Sequence, residues 1–394
     1  MFDTIFIGTS GLLTHAKGLR VVGNNLANVN TPGFKSAQLQ FADLFDQGGG
    51  HSSGAGGAAS GTGTGLTSLG SAVSFQAGLD QATGNPLDLN INGNGFYTIK
   101  RDDQLLYTRD GDFRFDDKGI LVNASGDHVQ GLDSGGKLVD IAVDKLARSM
   151  PKATSIVKFN GNLTSTVANP VVDATMKSIS VFDPNGVDRP INLSFKDNGG
   201  GDYTVTVTDA AGATLATGSL KFTGGFPSPS NSAISFSYAP TGVAAFTVKL
   251  DFSENVTSLV SSSTLGIASQ DGYVAGIKTD QSIGSDGTVT LHYSNGQTVK
   301  GPRLALANFK ANEDLEQTAG SAFRKSASGQ VQYGYAGEGS FGTLSAGHRE
   351  GSNVDLAGEF GNLILMQRGY QASSHVISTA NDMIQELFDM KGHR

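Results

Sequence analysis

Apolar residues recur every seven positions at both ends of this chain. Near the C-terminus Leu356, Leu363, Tyr370, Ile377 and Ile384 hold the period, with Phe360 and Phe388 on the adjoining stripe. Near the N-terminus Ile5, Leu12, Leu19 and Leu26 hold it, flanked by Ala16, Val22 and Val29. A period of seven keeps one narrow helix face towards a partner over several turns. The spacing predicts helices over about Thr4–Asn28 and Asp355–Met390, the second a rod of roughly 54 Å at 1.5 Å per residue. Ser352 with Asp355 three residues on reads as a capping box, and Gly392 as a stop. Two matched repeats predict a coiled coil made by the termini; an ordinary hairpin within a globular domain fits the pattern as well. Gly8, Gly11, Gly18 and Gly23 each cost about 1 kcal/mol relative to Ala in a helix interior, so the first helix should form only when packed.

The first helix should end at Asn28-Val29-Asn30-Thr31-Pro32-Gly33. Pro32 presets the first corner of a turn and Gly33 accepts the positive φ of the second. Asn28 and Asn30 can bond to local backbone and stop the helix. Beyond it, Gly48 to Gly70 carries no charged residue and reads as a flexible connector.

From there the period falls to two. Leu87–Ile91 and Phe96–Ile99 flank Asn92-Gly93-Asn94-Gly95, which reads as a hairpin turn. Tyr107–Phe115 alternates again, and Asp116-Asp117-Lys118-Gly119 turns into Ile120-Leu121-Val122. Asp110, Asp112, Asp116 and Asp117 are read as turn residues rather than a calcium loop. Arg114 occupies the fifth position of an EF-hand register, and no Glu closes the loop. Between Pro151 and Val256 six short stretches, Ile179–Phe182, Ile191–Phe195, Tyr203–Val207, Leu220–Phe222, Ile234–Tyr238 and Phe246–Phe252, suggest an antiparallel sandwich or barrel.

Several function classes drop out. The net charge of -8, with no basic run, argues against nucleic acid. No apolar run approaches the ~20 residues that span a bilayer, so membrane insertion is not expected. Met1–Leu13 does not read as a cleaved signal: Asp3 stands where a signal peptide would have Lys or Arg. The absence of Cys removes disulfides and thiolate sites. None of the 7 His forms an HExxH or His-x-His pair, and no GxSxG elbow appears. Glu359 and Arg368 read as polar neighbours of the seam, and His375 beside Ser373 and Ser374 as a surface residue. No enzyme activity, catalytic residue, cofactor or metal is expected.

Asn24-Asn25-Leu26-Ala27-Asn28-Val29-Asn30-Thr31-Pro32-Gly33-Phe34-Lys35 resembles the N-terminal signature of the bacterial flagellar rod and hook family, as do Ser10-Gly11-Leu12 and Phe41–Phe45. Ser352-Asn353-Val354-Asp355-Leu356 and Gln367-Arg368-Gly369-Tyr370-Gln371-Ala372 are similar to its C-terminal signature. Two long motifs in order at the two extremes are far more specific than either alone. The Tyr107–Phe115 run and the stretches around Gln270–Tyr273, Gly287–Gly296 and Leu304–Phe309 also resemble the family.

The resemblance implies a mainly β chain with long terminal α-helices. The expected parts are a terminal helical domain (1–30 with 352–394), a Gly/Ser-rich connector (31–71), a discontinuous inner β domain (72–150 with 266–351) and an inserted outer β domain (151–265). It implies a non-enzymatic subunit of a bendable helical tube that passes torque from rod to filament, located in the extracellular hook beside the basal body. The first partner implied is the chain itself, as a homopolymer; distal rod, hook cap and hook–filament junction proteins follow. The expected assembly residues are Ile5, Leu12, Leu19, Leu26, Asn28, Asn30, Pro32, Gly33, Leu356, Phe360, Leu363, Tyr370, Ile377 and Ile384. A stiff distal rod subunit is the nearest alternative, disfavoured by the extra β unit. A secreted β-rich adhesin or phage tail-fibre component explains the strands but not the matched terminal repeats.

Overall fold

Both terminal repeats are helices in the computed structural model, which describes residues 2–45, 63–133, 135–165, 174–311 and 314–392. Helix α1 is Phe2–Ala27 and α2 is Leu356–Gly392. The start of α2 differs from the expected capping box. Asp355 itself is the N-cap, its Oδ1 accepting from Ala357 N at 3.0 Å, while Ser352 Oγ accepts from Val354 N at 3.4 Å, before the helix. An aspartate carboxylate at the positive helix end is the stronger cap.

The chain forms two compact units, one of Met1–Asp144, Gln281–Thr290 and Lys300–Arg394, the other of Lys145–Asp280 and Leu291–Val299. Residues 266–280 and 291–299, expected in the inner β domain, therefore group with the second unit. The strand Gly266–Gln270 pairs antiparallel with Ile156–Thr164, and Gly276 with Ser149, which holds this return within the second unit.

In the first unit the strand Phe96–Arg101 pairs antiparallel with Gln104–Thr108, His128–Leu132 and Leu306–Phe309. Phe96, Tyr107, Phe309 and Phe323 pack as one buried aromatic cluster, with Tyr107 and Phe309 edge to face at 4.8 Å. The hairpin expected across Asn92–Gly95 does not form. Leu89–Asn92 pairs instead with Thr343–Ala346. The carbonyls of the turn bond outwards, Gly93 O to Arg109 Nη2 at 2.8 Å and Asn94 O to Gly342 N at 2.8 Å. An Asn-Gly pair here bends the chain without joining its flanking strands.

The expected connector is also partly strand. Ala37–Phe45 (β1) pairs antiparallel with Gly63–Val73 (β2) over most of their lengths. Leu39 and Phe41 alternate along β1, a period-two signal that the Gly-rich composition downstream obscures. Residues 46–62 of the expected connector lie outside the described residues.

The second unit is a sandwich of two five-stranded sheets around one apolar core. One sheet, from Ala174–Ile179 to Phe226–Pro227, is antiparallel as expected. The other is mixed. Its central strand, Ile156–Thr164, runs parallel to Phe246–Asp251 at one end and to Val256–Leu259 at the other. The change of partner falls at Gly161, whose φ of 104° bends the strand and where a Cβ would overlap Thr264 O. Phe159 and Phe252 stack at 4.4 Å in the core.

Candidate assembly interface

Helices α1 and α2 pack antiparallel, and glycines set their contact. A Cβ at Gly8 would lie 2.7 Å from Ile377 Cγ1, one at Gly11 2.7 Å from Ser373 Oγ, and one at Gly18 2.6 Å from Met366 Sδ. On the other helix a Cβ at Gly369 would run into the His15 ring. Residues 8, 11, 15, 18, 22 and 25 alternate steps of three and four along one stripe, so these glycines lie where side chains would hold the helices apart. Gly23 faces open space. The glycines thus cost helix propensity but permit a close approach. Burial holds the His15 imidazole below its ordinary pKa, and its Nδ1 is buried without a hydrogen-bond partner among the described residues.

The expected leucine seam is displaced from this contact. Ile5, Leu12, Leu19 and Leu26 are half-buried on its flank, as are Leu363 and Ile384 on α2, whereas Ile377 packs over Gly8 within the contact. Leu356, Phe360 and Tyr370 are 45%, 53% and 38% exposed, with Ile364 and Leu365 beside them. The antiparallel register carries the last turns of α2 past the start of α1, leaving Leu387, Phe388 and Met390 exposed. Within one chain, the period of seven is thus shared between a covered stripe and an outward one.

The β1–β2 pair lies on α1. Leu66 N donates to Ser10 Oγ at 3.2 Å, and Thr14 Oγ1 donates to Leu66 O at 3.2 Å. Asn25 is buried and acts as a splice: its Oδ1 accepts from Ala37 N at 3.0 Å, while its Nδ2 donates to Ala37 O at 2.8 Å and to Glu359 Oε1 at 3.0 Å.

The exit from α1 follows its turn chemistry. Phe34 N donates to Thr31 O at 3.3 Å, and Gly33 has a φ of 65°. A Cβ at Gly33 would overlap the backbone at Asp110. Thr31 Oγ1 donates to Asn28 Oδ1 at 3.1 Å, and Asn28 Nδ2 donates back to Asn24 O at 2.9 Å. Asn30 is exposed and Pro32 half-buried.

Immediately beyond lies a buried charge cluster. Lys35 Nζ meets Glu350 Oε1 at 2.6 Å, with the two side chains 1% and 2% exposed. Lys35 Nζ also donates to Gln76 O at 2.7 Å, and Gly78 N donates to Glu350 Oε1 at 2.8 Å. Arg109 Nη1 approaches Glu350 Oε2 at 3.4 Å, and its guanidinium lies 5.2 Å from the Phe96 ring centre. Burial draws the Lys35 pKa down against the pull of Glu350. Burial pushes the neighbouring Asp110 carboxyl up to about 6. Around the cluster, Gly33 N donates to Glu350 O at 2.8 Å and Ser36 N to Asn353 Oδ1 at 2.7 Å. The departure from α1 and the approach to α2 are therefore bound side by side.

Asn25, Lys35, Arg109, Glu350 and Glu359 escaped the sequence reading as site residues. Lys35, Asn25 and Arg109 stand inside recognisable motifs, but no local pattern shows that Asn25 meets Glu359 or that Lys35 and Arg109 meet Glu350. His375 is exposed, and Ser373 Oγ is spent on Gly369 O at 2.9 Å. Among the described residues no group of three or more His, Asp or Glu is placed to hold a metal, and no helix is long and apolar enough to cross a membrane.

Three families match in chain order. The family described as flagella basal body rod protein matches residues 5–35, the flagellar hook protein FlgE/F/G D1 domain matches 90–181, and the flagellar basal body rod FlgEFG protein C-terminal matches 345–390. The flagellar hook protein FlgE of Salmonella typhimurium is 31% identical over 97% of this chain and 98% of its own. That of Borreliella burgdorferi is 31% identical over 99% of this chain and 100% of its own, and that of Escherichia coli 30% over 97% and 98%. The crystal structure of Helicobacter pylori flagellar hook protein FlgE2 superposes with a TM-score of 0.49 at 14% identity, covering 67% of this chain and 98% of that one.

Proposed function

The chain belongs to the flagellar hook protein family and is a structural subunit of the flagellar hook at the basal body, and from that premise we propose how its terminal helices build the hook. The helix pair is the joining element. Its glycine stripe closes α1 on α2 within a subunit, and its outward apolar residues close subunit on subunit as a multi-helix coiled coil. Ile5, Leu12, Leu19, Leu26, Leu363, Ile377 and Ile384 bridge the two contacts. Leu356, Phe360 and Tyr370 face neighbours. Asn28, Asn30, Pro32 and Gly33 set the angle at which α1 leaves the β sheet.

The observation that carries this reading is the outward stripe of α2. Phe360, Ile364, Leu365 and Phe388 are 53%, 58%, 63% and 70% exposed, on a helix whose other face is already covered. Apolar surface in such a run is stabilised by burial, at about 25 cal/mol per Å². The helices order as a subunit arrives, so folding is coupled to addition. A head-to-tail contact that does not close into a ring gives a helical tube. The sandwich unit forms the outer layer, where small slides between neighbours let the tube bend while it turns. Distal rod, hook cap and hook–filament junction proteins meet the same helices at the tube's two ends. Leu363→Pro tests the reading: electron microscopy should find no tubes while the β units stay folded by circular dichroism. Normal tubes from this variant would overturn it.

A further inference from the structure

Among the described side chains of α2, Glu359 is the buried acid, 7% exposed. Its Oε1 accepts from Asn25 Nδ2 at 3.0 Å, but its Oε2 is closed off from solvent without a hydrogen-bond partner among the described residues. Asn25 can offer nothing more, since its amide is also committed to both backbone groups of Ala37. No basic side chain of the same chain forms an ion pair with this carboxylate among the described residues. A buried carboxylate left in that state is costly unless a cation neutralises it.

Beside Glu359 lies a cavity of ≈ 190 Å³, walled by Val21, Leu39, Phe41, Asn362 and Met366, with Gly18 leaving it open. Apolar side chains, the Gln38 and Asn362 amides and one carboxylate together match a side chain that has an alkyl stem and a cationic, hydrogen-bonding head. The basic groups near the helix pair are mostly occupied. Lys35 is held by Glu350, Lys17 Nζ donates to Ser68 Oγ at 3.2 Å, and Arg368 Nη1 lies 3.5 Å from Gln371 Oε1. Arg20 is exposed on α1 and makes no hydrogen bond or ion pair among the described residues.

We propose that Arg20 of a second copy of this chain enters this cavity in the assembled hook and pairs with Glu359. The terminal torsion of a glutamate is soft, so its carboxylate can turn Oε2 towards the incoming guanidinium. The pair makes burial of Glu359 conditional on a neighbour, and so favours the assembled state. This proposal rests on the reading of the helix pair as the joining element.

The test is a mutant cycle on polymerisation of the full chain. Glu359→Gln keeps the Asn25 hydrogen bond and removes the charge; Arg20→Gln removes its partner; the double variant removes both. Circular dichroism of each monomer verifies folding. The expected result is a critical concentration raised about tenfold by either single change, and hardly further by the double, as coupled residues behave. Independent, additive losses, an effect of Glu359→Gln alone, or no effect of either would overturn the pair while leaving the helix-based assembly intact. Failure of the unaltered chain to polymerise at any concentration would instead defeat the assembly reading, and this proposal with it.

Discussion

Replacing Glu350 by Ala should unfold the first unit far more readily than replacing both members of the Lys35–Glu350 pair by apolar residues. The substitution strands Lys35, which is 1% exposed and has Glu350 Oε1 at 2.6 Å. It also deprives Gly78 N of its acceptor and Arg109 of the carboxylate it approaches at 3.4 Å. At an effective dielectric of ~20 the Lys35–Glu350 attraction is about 6 kcal/mol before desolvation is subtracted. Breaking a buried pair by deleting one member costs about 3–5 kcal/mol, because the survivor stays buried and charged. Replacing both charges with apolar residues of similar size, Lys35→Met with Glu350→Leu, should cost markedly less than Glu350→Ala. Calorimetry is the suitable assay because the chain has two units whose transitions can separate. The transition of the first unit should fall and that of the sandwich should stay. A loss under about 1 kcal/mol for Glu350→Ala, or a double variant at least as unstable as the single one, would refute the reasoning.

The glycine stripe makes opposite predictions for one substitution type. Gly23→Ala, facing open space, should raise helix stability by about 1 kcal/mol, whereas Gly8→Ala and Gly369→Ala should weaken the α1–α2 pairing; helical circular dichroism under heating reads both signs. Asp110 has its folded pKa raised from 3.8 to about 6. The folded state therefore binds the proton more tightly, and stability is lost as pH rises from about 4 to 6. Asp110→Asn should raise the melting temperature at pH 7.5, by up to about 3 kcal/mol in stability, but scarcely at pH 3.5. Asp271 behaves in the opposite sense. Burial opposes its charge, but hydrogen bonds from Ser155 and Ile156 and from Lys152 hold its pKa down at about 2. Its contribution, about 2 kcal/mol, should be present above pH 4 and lost as pH falls through 2, and acid titration of Asp271→Asn should lack that loss.

Elements with a strong internal period were legible in the sequence: both helices, the turn at Pro32-Gly33, and the alternating strands of the sandwich. The misreadings share a physical cause. Gly161 redirects a strand between two partners, and a turn such as Asn92–Gly95 can bond outwards instead of pairing its neighbours. Partner choice in a sheet depends on distant residues that no local window contains. In the sequence the helix glycines look like weakness, because propensity is a property of one helix; their value lies in a second helix at the far end of the chain. The charge cluster was invisible for the same reason: Lys35, Arg109 and Glu350 meet only after the chain has folded.

That cluster gives the molecule a definite load path. The two backbone segments joining the helices to the sheet leave it together, bound to each other through Gly33 and Glu350 and through Ser36 and Asn353. A pull on the helix pair reaches both segments at one place, like traction on a yoke, and is divided between them before it reaches the strands. Neither segment can be drawn out alone without breaking salt links shielded from water. In the proposed tube, a subunit handing rotation from one end to the other is thereby strapped at its neck, and fatigue should begin there rather than in the sheet.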